Sequence, residues 1–263
     1  VNQGDFPPNG SPFERDSGAP LPSLPTVIVR YPQTRPVVTY ILMGICIAVY
    51  LTQMASEFLL GSDLPALLGM KINQAILRGE VWRFLTPMFL HGSIVHIAFN
   101  MYALYIFGPS LEARFGRGRF LLLFLISGFV GNVFSFIFSA AASLGSSTAI
   151  FGLLGAEMVF SYRNRELLGS GARRVLINVL TVAGINLIIG LSPGIDNWGH
   201  IGGLVGGSLF TWLGGPLLVV DGVYPDLKVA DRRRSGTVFL AALGVGGLFL
   251  ALAAFWMILQ NGG

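Results

Sequence analysis

Charge is what this sequence has least of. Asp, Glu, Lys and Arg make up 11% of its 263 residues, while apolar side chains make up 53%. A soluble domain carries about a quarter charged residues. That shortage excludes a water-soluble globular domain and points to an all-α polytopic membrane protein. Cysteine is scarcer still. Cys46 stands alone, mid-way along an apolar run, so an intrachain disulfide is excluded. The polar, proline-rich start has no basic stretch leading into an apolar core, so a signal peptide is not expected. The H-E-x-x-H pattern of helical zinc proteases is missing, and neither a metal nor a cofactor is expected. Asp63 and Asp196 fall in connections, which argues against an aspartyl intramembrane protease. The net charge of +4 suits basic loops better than a nucleic-acid surface, and no nucleic-acid partner is expected. The chain shows no internal repeat and no separate soluble domain.

What the sequence has in quantity is apolar runs. A membrane span needs about 20 mostly apolar residues. Seven segments qualify: 36–56, 93–111, 119–141, 146–162, 174–191, 198–220 and 236–259. The second and fourth are short and carry polar groups, so something other than lipid must surround those groups. Of 17 Lys and Arg, 11 fall in three connections. Arg114, Arg117 and Arg119 follow span two. Arg163, Arg165, Arg173 and Arg174 follow span four. Lys228 and Arg232 to Arg234 follow span six. The short connections around 142–146 and 191–197 have none. The positive-inside rule then sets the N-terminus in the cytoplasm and the C-terminus outside.

Residues 1–35 hold seven of the 14 prolines and read as a flexible cytoplasmic tail. Residues 36–220 form the membrane domain. Within it, 57–92 is a long extracytoplasmic connection rich in Leu and Phe, read as a folded loop in the interface with Trp82 at headgroup depth. Residues 221–235 read as a short basic hairpin, and 236–263 as a seventh span with a short outer tail.

This topology assigns depth. Spans two, four and six all run from outside to inside. "HGSIVHIAFN" at the start of span two carries His91, His96 and Asn100. "GSSTAIFGLLGAE" opens span four and carries Ser146, Ser147 and Thr148. "DNWGHIGG" opens span six and carries His200. All three histidines of the chain, with Asn100 and Ser147, therefore share the outer third of the membrane. Polar groups in a span are costly and mark a functional site facing protein or water, although any one of these histidines alone could equally be a hydrogen bond between helices. His96 and Asn100 are four apart and share a helix face. His91 reads as a holder of loop geometry. Gly145, Gly152 and Gly155 on span four, and Gly199, Gly202, Gly203, Gly206 and Gly207 on span six, let two helices approach closely. Packing alone would explain them, but close approach is also what a short side chain needs to reach a partner. A serine Oγ must come within about 3 Å of a histidine nitrogen to lose its proton to it. Ser147 thus reads as a nucleophile and His200 as its base, without a third acid. The unpaired N–H groups where span four begins, Ser147 included, together with His96 and Asn100, could hold an oxyanion. Ser146 and Thr148 read as capping or packing hydroxyls.

In these residues the chain resembles the rhomboid family of intramembrane serine proteases. The resemblance covers roughly 36–220. It rests on Trp82–Arg83, "HGSIVHIAFN", Glu112 in the loop after span two, "GSSTAIFG" with Gly145 and Ser147, and "GHIGGLVGG" with His200, Gly203 and Gly207. It implies a six-helix bundle plus a seventh C-terminal helix, with Ser147 and His200 as a dyad and His96 and Asn100 at the oxyanion. It also implies structural support from Trp82, Arg83, Glu112, Gly145, Gly203 and Gly207, and Phe151 stacked under the histidine. No metal or cofactor is used. The implied partners are transmembrane protein substrates and the lipid bilayer. The compactness of the chain suggests a bacterial plasma membrane as its location, with an organelle membrane as the alternative. Span five and the loop at 191–197 would admit substrate. Two positions depart from the pattern: Thr148 replaces the usual glycine after the nucleophile, and Phe151 lacks the hydroxyl of a frequent tyrosine.

Two other readings compete. A catalytically inactive rhomboid-like protein that binds or escorts membrane segments would be favoured if Thr148 crowds the oxyanion site. A transporter would place polar residues through the whole membrane depth, whereas here they stop at the outer third.

Overall fold

The computed structural model describes residues 35–223 and 227–262. The tail expected over 1–35 falls, apart from Arg35, outside them. The first long helix is α1, Val37–Leu60, an almost purely apolar run entered from Pro36 and closed by Gly61 in the left-handed region. The connection after it is folded. It contains the short helices α2, Leu64–Gly69, and α3, Asn73–Leu77, and then two 3-10 turns, Val81–Phe84 and Thr86–Phe89. The remaining helices are α4 (Ile94–Phe115), α5 (Arg117–Phe138), α6 (Ser147–Arg163), α7 (Arg165–Leu168), α8 (Ser170–Ile189), α9 (Asn197–Gly214) and α10 (Ser235–Asn261). The all-α class expected from the composition holds, and the seven long helices follow the seven apolar segments.

Several helix ends shift by a few residues from the sequence reading, and two of the shifts change an assignment. The second span continues through Pro109 to Phe115, so Glu112 lies inside α4, not in the loop after it. Proline weakens a helix by removing one donor, but the burial of Leu111, Glu112 and Phe115 carries α4 onward until Gly116 turns it. The sixth span stops at Gly214, where Gly215 and Pro216 follow, not at 220. A two-stranded antiparallel hairpin comes next: β1, Leu218–Asp221, pairs with β2, Lys228–Asp231. It begins three residues before the stretch expected to be a hairpin.

Among the described residues, five helices are long and apolar enough to cross a membrane on their own: α1, α4, α5, α8 and α10. The chain is an integral membrane protein. The other two long helices, α6 and α9, are the ones enriched in glycine and polar groups, and they pack tightly on each other and on α5. Most of α6 is buried inside the protein, including Thr148, Phe151, Gly152, Gly155 and Glu157. Protein, not lipid, surrounds the polar residues of that span.

The glycines explain the tightness. A Cβ at Gly203 would lie 1.9 Å from the Thr148 carbonyl oxygen, and one at Gly207 would lie 2.1 Å from that of Gly152. Backbone meets backbone along this seam, which only small residues permit.

The side-chain contacts also fix direction. His200 meets Ser147 where α9 and α6 begin. Arg114 pairs with Glu157 where α4 and α6 near their ends. So α4, α6 and α9 run the same way. Every basic residue of the three basic connections lies toward the far end of the bundle from Ser147, as the charge alternation requires. Arg114 and Arg163 help close that basic end. Arg114 bonds both Glu157 oxygens and both the hydroxyl and the carbonyl of Ser110. Arg163 and Arg233 both donate to the Trp212 carbonyl, and Arg163 stacks on the indole at 4.7 Å.

Candidate active site

Ser147 is the first residue of α6, and its backbone N–H is one of the helix's four orphan donors. Gly145, two residues earlier, has φ +129°, a conformation open to glycine and rare for other residues. Its N–H donates to the Pro87 carbonyl at 2.9 Å. That bond ties the approach to α6 to the 3-10 turns of the first loop. His200 sits in the first turn of α9, whose N-cap Asp196 accepts from the Gly199 N–H at 3.0 Å.

Those two helix starts bring Ser147 Oγ to 2.9 Å from His200 Nε2. The pair forms a hydrogen bond of the reach that proton transfer needs. The His200 ring lies face to face with Phe151, with centroids 4.3 Å apart and 9° between planes. Phe151 is one helical turn below Ser147, so one helix supplies both the partner and the platform for the imidazole. His200 Nδ1 is buried with no partner among the described residues. No carboxylate among the described residues bonds the ring, and the stack on Phe151 orients it.

His96 and Asn100 converge on the same place. A Cβ at Gly145 would stand 2.6 Å from His96 Nε2 and 3.7 Å from Asn100 Nδ2. Asn100 is buried, and its Nδ2 has no partner among the described residues. A buried amide left unpaired costs roughly 1–3 kcal/mol, a cost that an acceptor entering the site would relieve. His91, from the loop before α4, lies edge-on to His96 at 5.2 Å and reaches Ser146 Oγ at 3.3 Å. Both its backbone N–H and its carbonyl are bonded by the Gln53 side chain. Burial, with the neighbouring His96, lowers the His91 imidazole to about 4, so it is neutral at ordinary pH.

Thr148 points elsewhere. Its side chain lies between Gly131 of α5 and Gly199 of α9, within 2.7 Å and 3.0 Å of where their Cβ atoms would be. The branch fills a hollow made by two glycines, one on α5 and one on α9.

The remaining support residues sit at a distance. Arg83 is buried and braces the first loop: it donates to the Leu67 and Met70 carbonyls at 2.9 and 2.7 Å and pairs with Glu80. Trp82 is half exposed and donates to the Leu68 carbonyl at 3.0 Å. Glu112, wholly buried, accepts from the Val38 and Thr39 N–H groups and the Thr39 hydroxyl, holding the start of α1. None of the three touches Ser147. Two groups near the site had gone unmarked in the sequence reading. One is Ser135, which donates to Asp196. The other is Lys71, fully buried beside the segment that leads to Ser147. Asp196 carried a readable sign, an acidic residue three before Gly199 at a helix start; Lys71 carried none. Among the described residues no three His, Cys, Asp or Glu side chains gather as a metal-ion site.

Comparison with known proteins decides the lineage. The pattern described as the rhomboid domain matches residues 78–217, more than half of the chain. The chain belongs to the rhomboid family. This rhomboid is similar to "Rhomboid protease GluP" of Bacillus subtilis (strain 168), with 36% identity over 219 residues that cover 83% of this chain and 41% of the relative. It is similar to "RHOMBOID-like protein 6, mitochondrial" of Arabidopsis thaliana, 36% identical over 69% of this chain and 62% of the relative. It also resembles "Putative rhomboid protease YdcA" of Bacillus subtilis (strain 168), 34% identical over 54% of this chain and 71% of the relative. The chain thus spans less than two thirds of the first two of these relatives.

Proposed function

We propose that this rhomboid is an intramembrane serine endopeptidase that cuts transmembrane segments with a Ser147–His200 dyad. The observation that carries the reading is the 2.9 Å contact between Ser147 Oγ and His200 Nε2, with the imidazole stacked on Phe151. Two of the relatives named above are called rhomboid proteases, one of them putatively.

The chemistry follows from the geometry. Ser147 Oγ attacks the scissile carbonyl carbon while His200 Nε2 takes its proton. The tautomer that accepts at Nε2 keeps its own proton on Nδ1. The carbonyl oxygen becomes an oxyanion, held by the Ser147 N–H, His96 Nε2–H and Asn100 Nδ2. The imidazolium then gives its proton to the leaving nitrogen, and an acyl-enzyme remains. A water, deprotonated by the same Nε2, attacks the ester carbonyl and releases the second product and free Ser147. General base catalysis supplies roughly 10²–10⁴-fold of the rate, and each oxyanion donor roughly 10²–10³-fold. Thr148 does not impede this scheme, because its branch occupies the Gly131–Gly199 hollow. The basic end of the bundle is assigned to the cytoplasm by the positive-inside rule. The dyad then opens toward the outer side, with the start of α1 inside and the end of α10 outside.

The test is cleavage of a single-span substrate by the purified protein in liposomes, beside Ser147→Ala and His200→Ala. Cutting by the parent and by neither variant is expected. Labelling of Ser147 by a small fluorophosphonate separates a poorly chosen substrate from an inert site. Cleavage undiminished in Ser147→Ala would overturn the assignment.

A further inference from the structure

Lys71 is among the largest fully buried side chains of the described residues, at 0% exposure. Lysine is almost never fully buried unless it is paired. Here no carboxylate among the described residues bonds it. Its Nζ donates to Asn73 Oδ1 at 2.9 Å, to the Ser139 carbonyl at 3.0 Å and to the Ala141 carbonyl at 2.7 Å. Three acceptors match the three N–H groups of an ammonium, with none to spare. Its backbone does the same work. Lys71 N–H donates to the Ser143 carbonyl at 2.8 Å, and Ser143 N–H donates back at 3.1 Å. Asn73 reinforces the join with bonds to the Phe136 and Ser139 carbonyls. The first loop is thereby fastened to the stretch between α5 and α6, four to eight residues before Ser147.

A second chain of bonds leaves the same stretch. Ser135 donates to Asp196, so at its 3.3 Å contact with Ser143 Oγ it is the acceptor and Ser143 the donor. Asp196 in turn caps α9 through the Gly199 N–H, next to His200. One end of this relay sits on the approach to the nucleophile and the other on the helix of the base.

We infer that Lys71 is a positioning residue for the dyad. Its ammonium fills three acceptors at once and so fixes the 139–143 segment, which sets both the start of α6 and, through Ser143, Ser135 and Asp196, the start of α9. The inference rests on the protease reading. It has a consequence that ordinary packing lacks. A neutral amine has two N–H groups and a lone pair, so it would leave one of the three acceptors unmet. Around Nζ stand Asn73 from α3 and the carbonyls after α5; Asp196 at the start of α9 is the charged group that acts on it. Burial lowers the Lys71 ammonium to about 8, with Asp196 opposing. The clamp therefore loosens in mildly alkaline solution, a range in which an ordinary histidine base is already neutral.

Stability moves the other way. The folded chain releases this proton at a lower pH than the unfolded chain, whose lysine titrates near the ordinary 10.5. Between those values the unfolded chain holds more protons, so this group adds stability as pH rises.

The experiment measures the rate of fluorophosphonate labelling of Ser147 and the thermal midpoint of the full chain, both from about pH 7 to about pH 10. Labelling is expected to fall roughly tenfold across pH 8–9.5, the size of one hydrogen bond to a charged group, with no fall in the midpoint. Lys71→Met is expected to label slowly and evenly across the range. If that variant does not fold, the parent's two profiles decide. A flat or rising parent profile overturns the role of Lys71 and leaves the protease reading standing. A midpoint that falls in step with labelling also overturns it, since simple unfolding then explains the loss. No labelling at any pH removes the protease reading, and this inference with it.

Discussion

The two ends of the bundle treat buried polarity in opposite ways. At the basic end Arg114 is saturated: it bonds both carboxylate oxygens of Glu157 and two oxygens of Ser110, and it lies 4.8 Å from the centre of the Phe160 ring. The unpaired buried atoms there are two hydroxyls, Ser161 and Thr211, and one nitrogen of Arg233. At the dyad end Asn100 Nδ2 and His200 Nδ1 are buried and have no partner among the described residues. A satisfied network makes a core specific and rigid, whereas an unsatisfied one costs stability. The molecule leaves an amide and an imidazole unmet where we assign chemistry, while the carboxylate that joins the helices at the other end has both oxygens bonded.

Removing a residue from each end sharpens the contrast. Asn100→Ala takes away a donor without a partner, so it should cost cleavage roughly 10²–10³-fold with no loss of thermal stability. Measuring both on one preparation checks this, and a large fall in the midpoint would erase the distinction. Glu157→Gln does the reverse. It breaks a pair in which the Glu157 side chain is 9% exposed, and should cost on the order of 3 kcal/mol of stability. The labelling rate per folded molecule should hardly change. Phe151→Leu keeps an apolar contact but loses the stack, which is worth about 0.5–1.5 kcal/mol. A threefold to tenfold slower labelling rate, roughly, is the expected reading, and Phe151→Tyr should retain the parent rate.

His91 sets an effect that is read from pH instead of from rate. Its folded imidazole is depressed to about 4, so the unfolded chain binds more protons between the ordinary 6.5 and that value. Stability should fall as pH drops through this window, and His91→Gln should flatten the fall. An acid profile identical in the two proteins would remove His91 from the account.

What was legible in the sequence came from charge and spacing. The three basic connections gave direction to the helices, direction gave depth, and equal depth singled out Ser147, His96, Asn100 and His200. Features built from backbone left no such trace. Lys71 is bound by carbonyls 68 and 70 residues away, and every residue has a carbonyl. Glu112 was set in a loop because the apolar run was read as ending at residue 111, yet burial carried α4 past it. Thr148 could not be judged from its identity alone. Whether a β-branch crowds the oxyanion depends on the hollow between Gly131 and Gly199, two positions on other helices.

The seam between α6 and α9 bears on how this chain can change. Where a glycine faces a side chain, a larger residue can be accommodated by trimming its neighbour: Gly206 faces Val130, Gly202 faces Phe134 and Gly152 faces Ser127. Gly203 and Gly207 face the carbonyl oxygens of Thr148 and Gly152. A carbonyl has no smaller version, and no codon alters it. A methyl group added at either position has no second-site suppressor along the seam, and only a shift of one whole helix would admit it. Such a shift would pull His200 from Ser147. For these two glycines the route through mutational space is closed in both directions, and the dyad itself is what closes it.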